Sequence, residues 1–195
     1  MDKNTYNKTF INHLQQDVNL GATDIDKITS ILVFKELKKK DFLIEPGAIA
    51  QTMNFIVQGC MRSFYLDENA QEHTLQLGIE NWWVNDLYSY LSQKKSRMYV
   101  QALENTILVQ LPKQELEKLY LEVPEISNFF RKKIQGAYVA VQERVIDSMS
   151  DNAYERYDNF RKTYRDIEQR VPQYIIASYL GVTPEFLSYL RKKHS

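Results

Sequence analysis

Cysteine is nearly absent from this chain. Cys60 is the only one in 195 residues, which excludes an internal disulfide and any cysteine-ligated cluster assembled within one chain. Histidine is almost as scarce: His13, His73 and His194 are spaced too widely for a standard metal site, and each reads as a surface or packing residue. No apolar run approaches membrane length and no charged-then-apolar segment opens the chain. Neither a membrane span nor secretion is indicated, and the expected location is the cytoplasm. Net charge is missing too, since 25 basic side chains balance 25 acidic ones and remove any general polyanion-binding character. Repeats and low-complexity segments are also lacking. The one charge asymmetry lies at the end, where Arg170, Arg191, Lys192 and Lys193 face the single acid Glu185 between Arg170 and Ser195. A basic end on a neutral chain fits a terminal DNA-reading element, although short charge runs are commonly solvated tails.

What is present divides into three textures. Thr5 to Leu37 reads as largely helical, with Phe10, Leu14 and Val18 at four-residue spacing, then Ile25, Ile28 and Leu32. From Lys38 to about Leu111, short apolar runs alternate with turn signals such as Glu45-Pro46-Gly47, Gln58-Gly59 and Asp67-Glu68-Asn69, the texture of an all-β barrel or roll. After Pro112 the helical period returns: Leu116 and Leu119 mark a short helix ended near Pro124. A long one follows, in which Phe130, Ile134, Ala137, Val141 and Val145 recur every three or four residues. That stripe fits either core against the β-region or a seam against the same helix of a second chain, and we expect the seam. Asp151 to Arg170 reads as one short, charged and aromatic helix. The expected fold class is α+β, divided into N-terminal helices and β-roll (1–111), connecting and dimerisation helices (112–150) and a C-terminal helix-turn-helix (151–195).

The helix-turn-helix is the most specific local signal. Ile175, Ile176, Tyr179 and Leu180 form one apolar face, small Ala177 admits a second helix, and Gly181 supplies the permissive turn. Thr183 is a good N-cap, Pro184 suits the first helical position, and Val182 can staple to Leu187. Leu187 and Leu190 then face inward, leaving Glu185, Ser188, Tyr189 and Lys192 outward with Arg191 on the flank. The same residues would serve an ordinary helical hairpin packed on its own core.

Taken in order, a β-roll, a long helix and a C-terminal helix-turn-helix resemble the cyclic-AMP receptor protein/Fnr (Crp/Fnr) family of bacterial transcription regulators. The markers are Glu45-Pro46-Gly47, Phe55 to Gly59, Gln101-Ala102-Leu103-Glu104, Ala153 to Tyr157 and Ala177 to Glu185; the last two runs look like the branch common in Bacteroidetes. The resemblance implies a homodimer whose roll senses an effector and whose terminal motif binds double-stranded DNA. Gln173, Thr183, Pro184, Glu185, Ser188, Tyr189, Arg191 and Lys192 would form the DNA surface, with Glu185 matching the family's acidic reader.

The departures from the pattern narrow this expectation. Cyclic-AMP-binding members carry a Gly-Glu pair before a short helix; here the stretch reads Trp83-Val84-Asn85-Asp86-Leu87. The arginine that takes the cyclic phosphate elsewhere in the family is displaced by one place, as Arg97 after Ser96, and in a strand one place turns a side chain to the opposite face. A buried phosphate without a guanidinium is uncompensated, so cyclic AMP is not the expected effector. Trp83, Asn85, Asp86, Ser96 and Arg97 remain the candidate effector pocket. Trp82, Trp83, Tyr88, Tyr90 and Tyr99 make the roll aromatic, which suits stacking of a planar ligand or simply a barrel core. No cofactor is called for: Fnr-type iron–sulfur sensing needs several cysteines, and a lone His73 is a poor basis for a haem. At the reading end, Tyr189 stands where relatives place an arginine and cannot make a bidentate guanine contact. The chain ends at Ser195 without residues for the wing of longer members. A roll that has lost DNA binding and serves as a ligand or protein-interaction module is the alternative. A cupin-like enzyme would need clustered histidine and carboxylate ligands, which three isolated histidines do not supply.

Overall fold

The computed structural model describes residues 3–193; His194 and Ser195 lie outside them. Two helices open the chain, α1 (Lys3–Gln15) and α2 (Ala22–Ser30). The helical texture expected as far as Leu37 stops at Ser30, because Val33–Leu37 forms strand β1. It pairs antiparallel with a strand far along the chain, from Val33 opposite Gln110 to Leu37 opposite Thr106. Tertiary pairing of a β-branched and aromatic segment outweighs the helical spacing that Leu32 prolongs.

The roll consists of β1, β2 (Phe42–Ile44), β3 (Thr52–Gln58), β4 (Met61–Leu66), β5 (Glu72–Gly78), β6 (Tyr99–Ala102) and β7 (Thr106–Pro112), with a short helix α3 (Leu87–Ser92) between β5 and β6. Its strands form a three-stranded sheet in the order β1-β7-β3 and a four-stranded sheet in the order β2-β6-β4-β5, leaving β5 at an edge. Tight reversals carry the connections: Gly47 at φ +93° and Gly59 at φ +105° occupy the left-handed region that favours glycine. At Gly59 a side chain is also blocked, since a Cβ would lie 2.8 Å from the Asn105 carbonyl oxygen.

Helix α4 (Lys113–Glu122) returns along the roll, and α5 (Pro124–Ser150) departs from it, with Pro124 at the helix start where its missing N–H costs nothing. The main core fills the roll and extends under α1, α4 and the first turns of α5. Its aromatic centre is a set of edge-on contacts, Phe10 on Phe55 at 5.3 Å and Trp83 on Phe130 at 5.0 Å.

The segment 151–170, expected as one helix, is two: α6 (Ala153–Thr163) and α7 (Arg165–Arg170). Asn152 caps α6, accepting from the Tyr154 and Glu155 N–H groups, while Glu155 reaches back to the Asn152 N–H at 2.9 Å. Helices α8 (Gln173–Leu180) and α9 (Pro184–Lys193) complete the chain. A second core joins α6 to α9 with Cys60 and Leu77 of the roll. Burial pushes the Cys60 thiol up to about 12, which fits a packing role for this residue.

Candidate functional site

Helix α8 stops because Gly181 enters the left-handed conformation at φ +70°, and the Val182 N–H then bonds back to the Ala177 carbonyl. Arg156 of α6 fixes the same end, donating to the carbonyls of Leu180 and Asp151. Thr183 caps α9 by accepting from the Phe186 N–H at 3.2 Å. Leu187 and Leu190 are buried, and Val182 packs on their cluster, as its spacing predicts.

The outer face of α9 presents Pro184, Glu185, Tyr189 and Lys192 to solvent, with Ser188 and Arg191 half-buried beside them. Gln173 is exposed at the start of α8 and shares a shallow depression with Arg191 and Arg161. The sequence reading passed over Phe186. Its ring is 44 % exposed and stacks on Tyr189 at 6.1 Å between centroids, with the Lys193 ammonium 5.8 Å from the Tyr189 ring. The signal was present, because Phe186 and Tyr189 are three apart and share a helix face.

A second site lies where the roll, α5 and the C-terminal helices meet. A cavity of about 560 Å³ is walled by Trp82, Asn85, Asp86 and Tyr88 from the roll side, by Ala137 and Ala140 from α5, and by Phe160, Tyr164 and Tyr179 from the C-terminal helices. Of the residues expected to form an effector pocket, Asn85 and Asp86 reach it. Asn85 is structural as well, accepting from the Asn54 backbone and side chain at 2.8 and 3.0 Å. Asp86 caps α3 through its Oδ1, which accepts from the Ser89 N–H at 3.0 Å.

The other three expected pocket residues stand elsewhere. Trp83 belongs to the main core, ringed by Phe10, Phe55, Phe129 and Phe130. Ser96 is buried in a turn, its hydroxyl tied to the Met98 backbone. Arg97 is exposed, with its guanidinium 5.7 Å from the Tyr65 ring. The Arg97 guanidinium therefore lies outside the cavity. Among the aromatic residues, Trp82 and Tyr88 line the cavity, whereas Tyr99 stacks on Phe64 at 5.1 Å and Tyr90 is buried in the main core.

Ion pairs bind the C-terminal helices to the roll. Arg170 at the end of α7 donates to Glu80 at 2.6 and 3.0 Å and to Glu104 at 2.7 and 3.1 Å. Glu80 also accepts from the Gly59 N–H at 2.7 Å. Burial pushes the Glu80 carboxyl up, but Arg170 and the Gly59 N–H outweigh it and hold it below its ordinary value; the two carboxylates raise Arg170. Arg144 of α5 donates to the carbonyls of Thr74 and Leu75 and lies 4.2 Å from the Tyr179 ring.

Along α5, Phe130 is 2 % exposed and sits inside the chain's own core, so it has no surface to offer a partner. Ala137, Val141 and Val145 all line the cavity. Ile134 is half-buried, and beyond it Tyr138, Val141, Val145 and Met149 are all markedly exposed, Val141 and Val145 at the edge of the cavity. Tyr138 stands four residues after Ile134 and Met149 four after Val145, so both continue the same period.

Among the described residues no cluster of three or more histidine, cysteine or carboxylate groups is arranged to hold a metal. His73 pairs with Asp67 at 2.9 Å at the surface. Among the same residues no helix is long and apolar enough to cross a membrane.

The family model for the cyclic nucleotide-binding domain matches residues 34–122, from β1 through α4. Over nearly the whole length the chain superposes on known regulators. One is the c-di-GMP-responsive global regulator CLP of Xanthomonas campestris, at a TM-score of 0.70 and 13 % identity, with 89 % of this chain and 91 % of that one covered. Another, from Eubacterium rectale and assigned to the Crp/Fnr family of transcriptional regulators, gives 0.70 and 16 % over 93 % and 87 %. This chain has the Crp/Fnr fold. In sequence it is 22 % identical over 183 residues to the anaerobic regulatory protein of Haemophilus influenzae, covering 88 % of this chain and 70 % of that protein. The cavity takes one wall from the matched residues and the others from α5 and the C-terminal helices, and α8 and α9 lie past the matched domain.

Proposed function

We propose that this Crp/Fnr-type chain is a homodimeric transcription regulator that binds double-stranded DNA through α9 and carries an effector-sensing roll. The observation that supports it best is the outward face of α9: a reader carboxylate at Glu185, hydroxyls at Ser188 and Tyr189, and Arg191, Lys192 and Lys193 in the last turn, on a helix held by a capped glycine turn. In this reading residues 1–111 sense, 112–150 connect and dimerise, and 151–195 read DNA. Glu185, Ser188 and Tyr189 touch base edges; Gln173, Thr183, Arg191 and Lys192 meet phosphate, and Pro184 sets the approach of the helix start. The dimer forms along Ile134, Tyr138, Val141, Val145 and Met149, a near-heptad stripe whose exposed apolar side chains suit a second helix, with Val141 and Val145 also bordering the cavity.

The effector is not cyclic AMP bound in the usual way, because the cavity's one arginine, Arg144, is engaged by backbone carbonyls and Arg97 lies outside. Calorimetry with cyclic AMP and cyclic GMP checks this directly, and a low-micromolar dissociation constant would refute it.

Selection of duplex DNA from a random pool tests the main reading. Enrichment of a two-fold site with half-sites about one helical turn apart is expected; failure to enrich any sequence would overturn it. The stacked and exposed Phe186 and Tyr189 favour a second reading, in which this face docks on a protein. An empty DNA selection would bring that reading forward.

A further inference from the structure

The walls of the 560 Å³ cavity specify the chemistry of what fills it. Aromatic rings approach from both sides: Trp82 and Tyr88 from the roll, Phe160, Tyr164 and Tyr179 from the C-terminal helices. A floor of Ala137, Ala140, Val141 and Val145 leaves room between them, and the volume falls in the range of small-molecule sites.

Two charged residues line this space, Arg144 and Asp86. Arg144 is occupied by the carbonyls of Thr74 and Leu75 and by the Tyr179 ring, so it has little left for an anion. Asp86 is the opposite case. The residue is 1 % exposed; its Oδ1 accepts from the Ser89 N–H, while its Oδ2 is buried without any hydrogen-bond partner. A buried carboxylate oxygen lacking a donor is costly, and such groups are rarely left so in folded proteins. The missing partner is a donor, and the wall on which Asp86 stands belongs to the cavity.

We infer that this cavity binds a planar aromatic molecule carrying a protonated amine or comparable donor and no anionic group, with the donor on Asp86 and the ring between Trp82 and the C-terminal aromatics. The inference deepens the reading of the roll as an effector unit and rests on it. It also adds a physical link, since such a ligand would touch the roll, α5 and the helices that carry the reading motif at once.

The probes are tryptamine, indole, indole-3-propionate and cyclic AMP, each titrated by calorimetry into the full-length wild-type protein. Tryptamine should bind at least tenfold more tightly than its isosteric acid and than cyclic AMP, with indole between. Asp86→Asn keeps an N-cap for α3 but removes the charge, and should erase the preference for tryptamine over indole. Ala140→Trp fills the cavity from the helix side and should abolish binding of both. The ligand class is overturned if the acid binds as well as the amine, if none of the aromatic probes binds, or if tryptamine binding survives both substitutions. The comparison of amine with acid uses wild-type protein and so stands even where a variant misfolds. Selected DNA is tested in parallel: ligand failure with DNA binding intact sinks this inference alone, whereas absent DNA binding sinks the regulator reading and leaves the calorimetry to decide the cavity.

Discussion

Ser178, on the first helix of the terminal motif, occupies the place of a strand neighbour beside Thr74. Its hydroxyl accepts from the Thr74 N–H at 2.8 Å and donates to the Glu72 carbonyl at 2.6 Å. Strand β5 is an edge of its sheet, and α8 lies along it, so backbone groups that an edge leaves open are satisfied by the C-terminal helices. Together with the Arg170 fork on Glu80 and Glu104, this makes the C-terminal helices a docked unit.

The docking should loosen in acid. Glu80 has a folded value below its ordinary 4.5, so its contribution is complete above that pH and is lost as pH falls through the lower, folded value. Trp82 meets Tyr164 across the junction at 5.7 Å, and tryptophan fluorescence followed from pH 7 to pH 3 reports the separation. Glu80→Gln should weaken docking at pH 7 and flatten the acid response; an unchanged acid response would show that other carboxylates control it.

Phe130 and Val141 should fail in different ways. Phe130→Ala opens a cavity in the main core and should cost about 3–5 kcal/mol of folding stability in denaturant titration. Val141→Glu lies on an exposed surface and should leave the folding midpoint of the isolated chain almost unchanged while light scattering shows monomers. Wild-type protein that is monomeric at micromolar concentration would remove the seam altogether.

Lys192→Ala should lower affinity for selected and non-specific DNA alike and reduce the slope of log affinity against log salt by about one unit. Glu185→Ala should relax preference at one base position, at a cost of roughly 1–3 kcal/mol on the favoured sequence. The mobility-shift salt series distinguishes the two. An exchange of the signatures would mean that α9 docks in another orientation.

Two glycines should respond unequally to alanine. Gly181→Ala retains open space around the new methyl and suffers only the left-handed backbone, about 1–2 kcal/mol. Gly59→Ala adds to a similar strain a clash with the backbone of Asn105 and Thr106, and should cost more than Gly181→Ala by thermal melting.

The elements that local chemistry dictates were legible in the sequence. Gly181 and Thr183 announced the terminal turn, and apolar periods announced α5, α8 and α9. Elements defined by a distant partner were not: Val33–Leu37 becomes a strand only because residues 106–110 lie beside it. The Arg170 fork joins positions 66 and 90 residues apart, and nothing in its neighbours marks Glu80 or Glu104 as its acceptors. At the candidate pocket, Asp86 was readable from its place before a short helix, whereas Trp83 was drawn into the same group by sequence adjacency. Successive residues diverge, and Trp82 faces the cavity while Trp83 fills the core. The stripe on α5 was visible without showing what stood opposite each position, which is why Phe130 proves buried while Tyr138 is exposed.

Helix α5 is uninterrupted from the aromatic anchor at Phe129 and Phe130 to Ser150. At 1.5 Å per residue, the twenty residues past the anchor make an arm of about 30 Å. A tilt of about 10° at the anchored end carries the far end sideways by about 5 Å, close to one helical turn. Arg144, part-way along that arm, is tied to the Thr74 and Leu75 carbonyls of β5, so the lever is pinned to the same strand edge that holds Ser178.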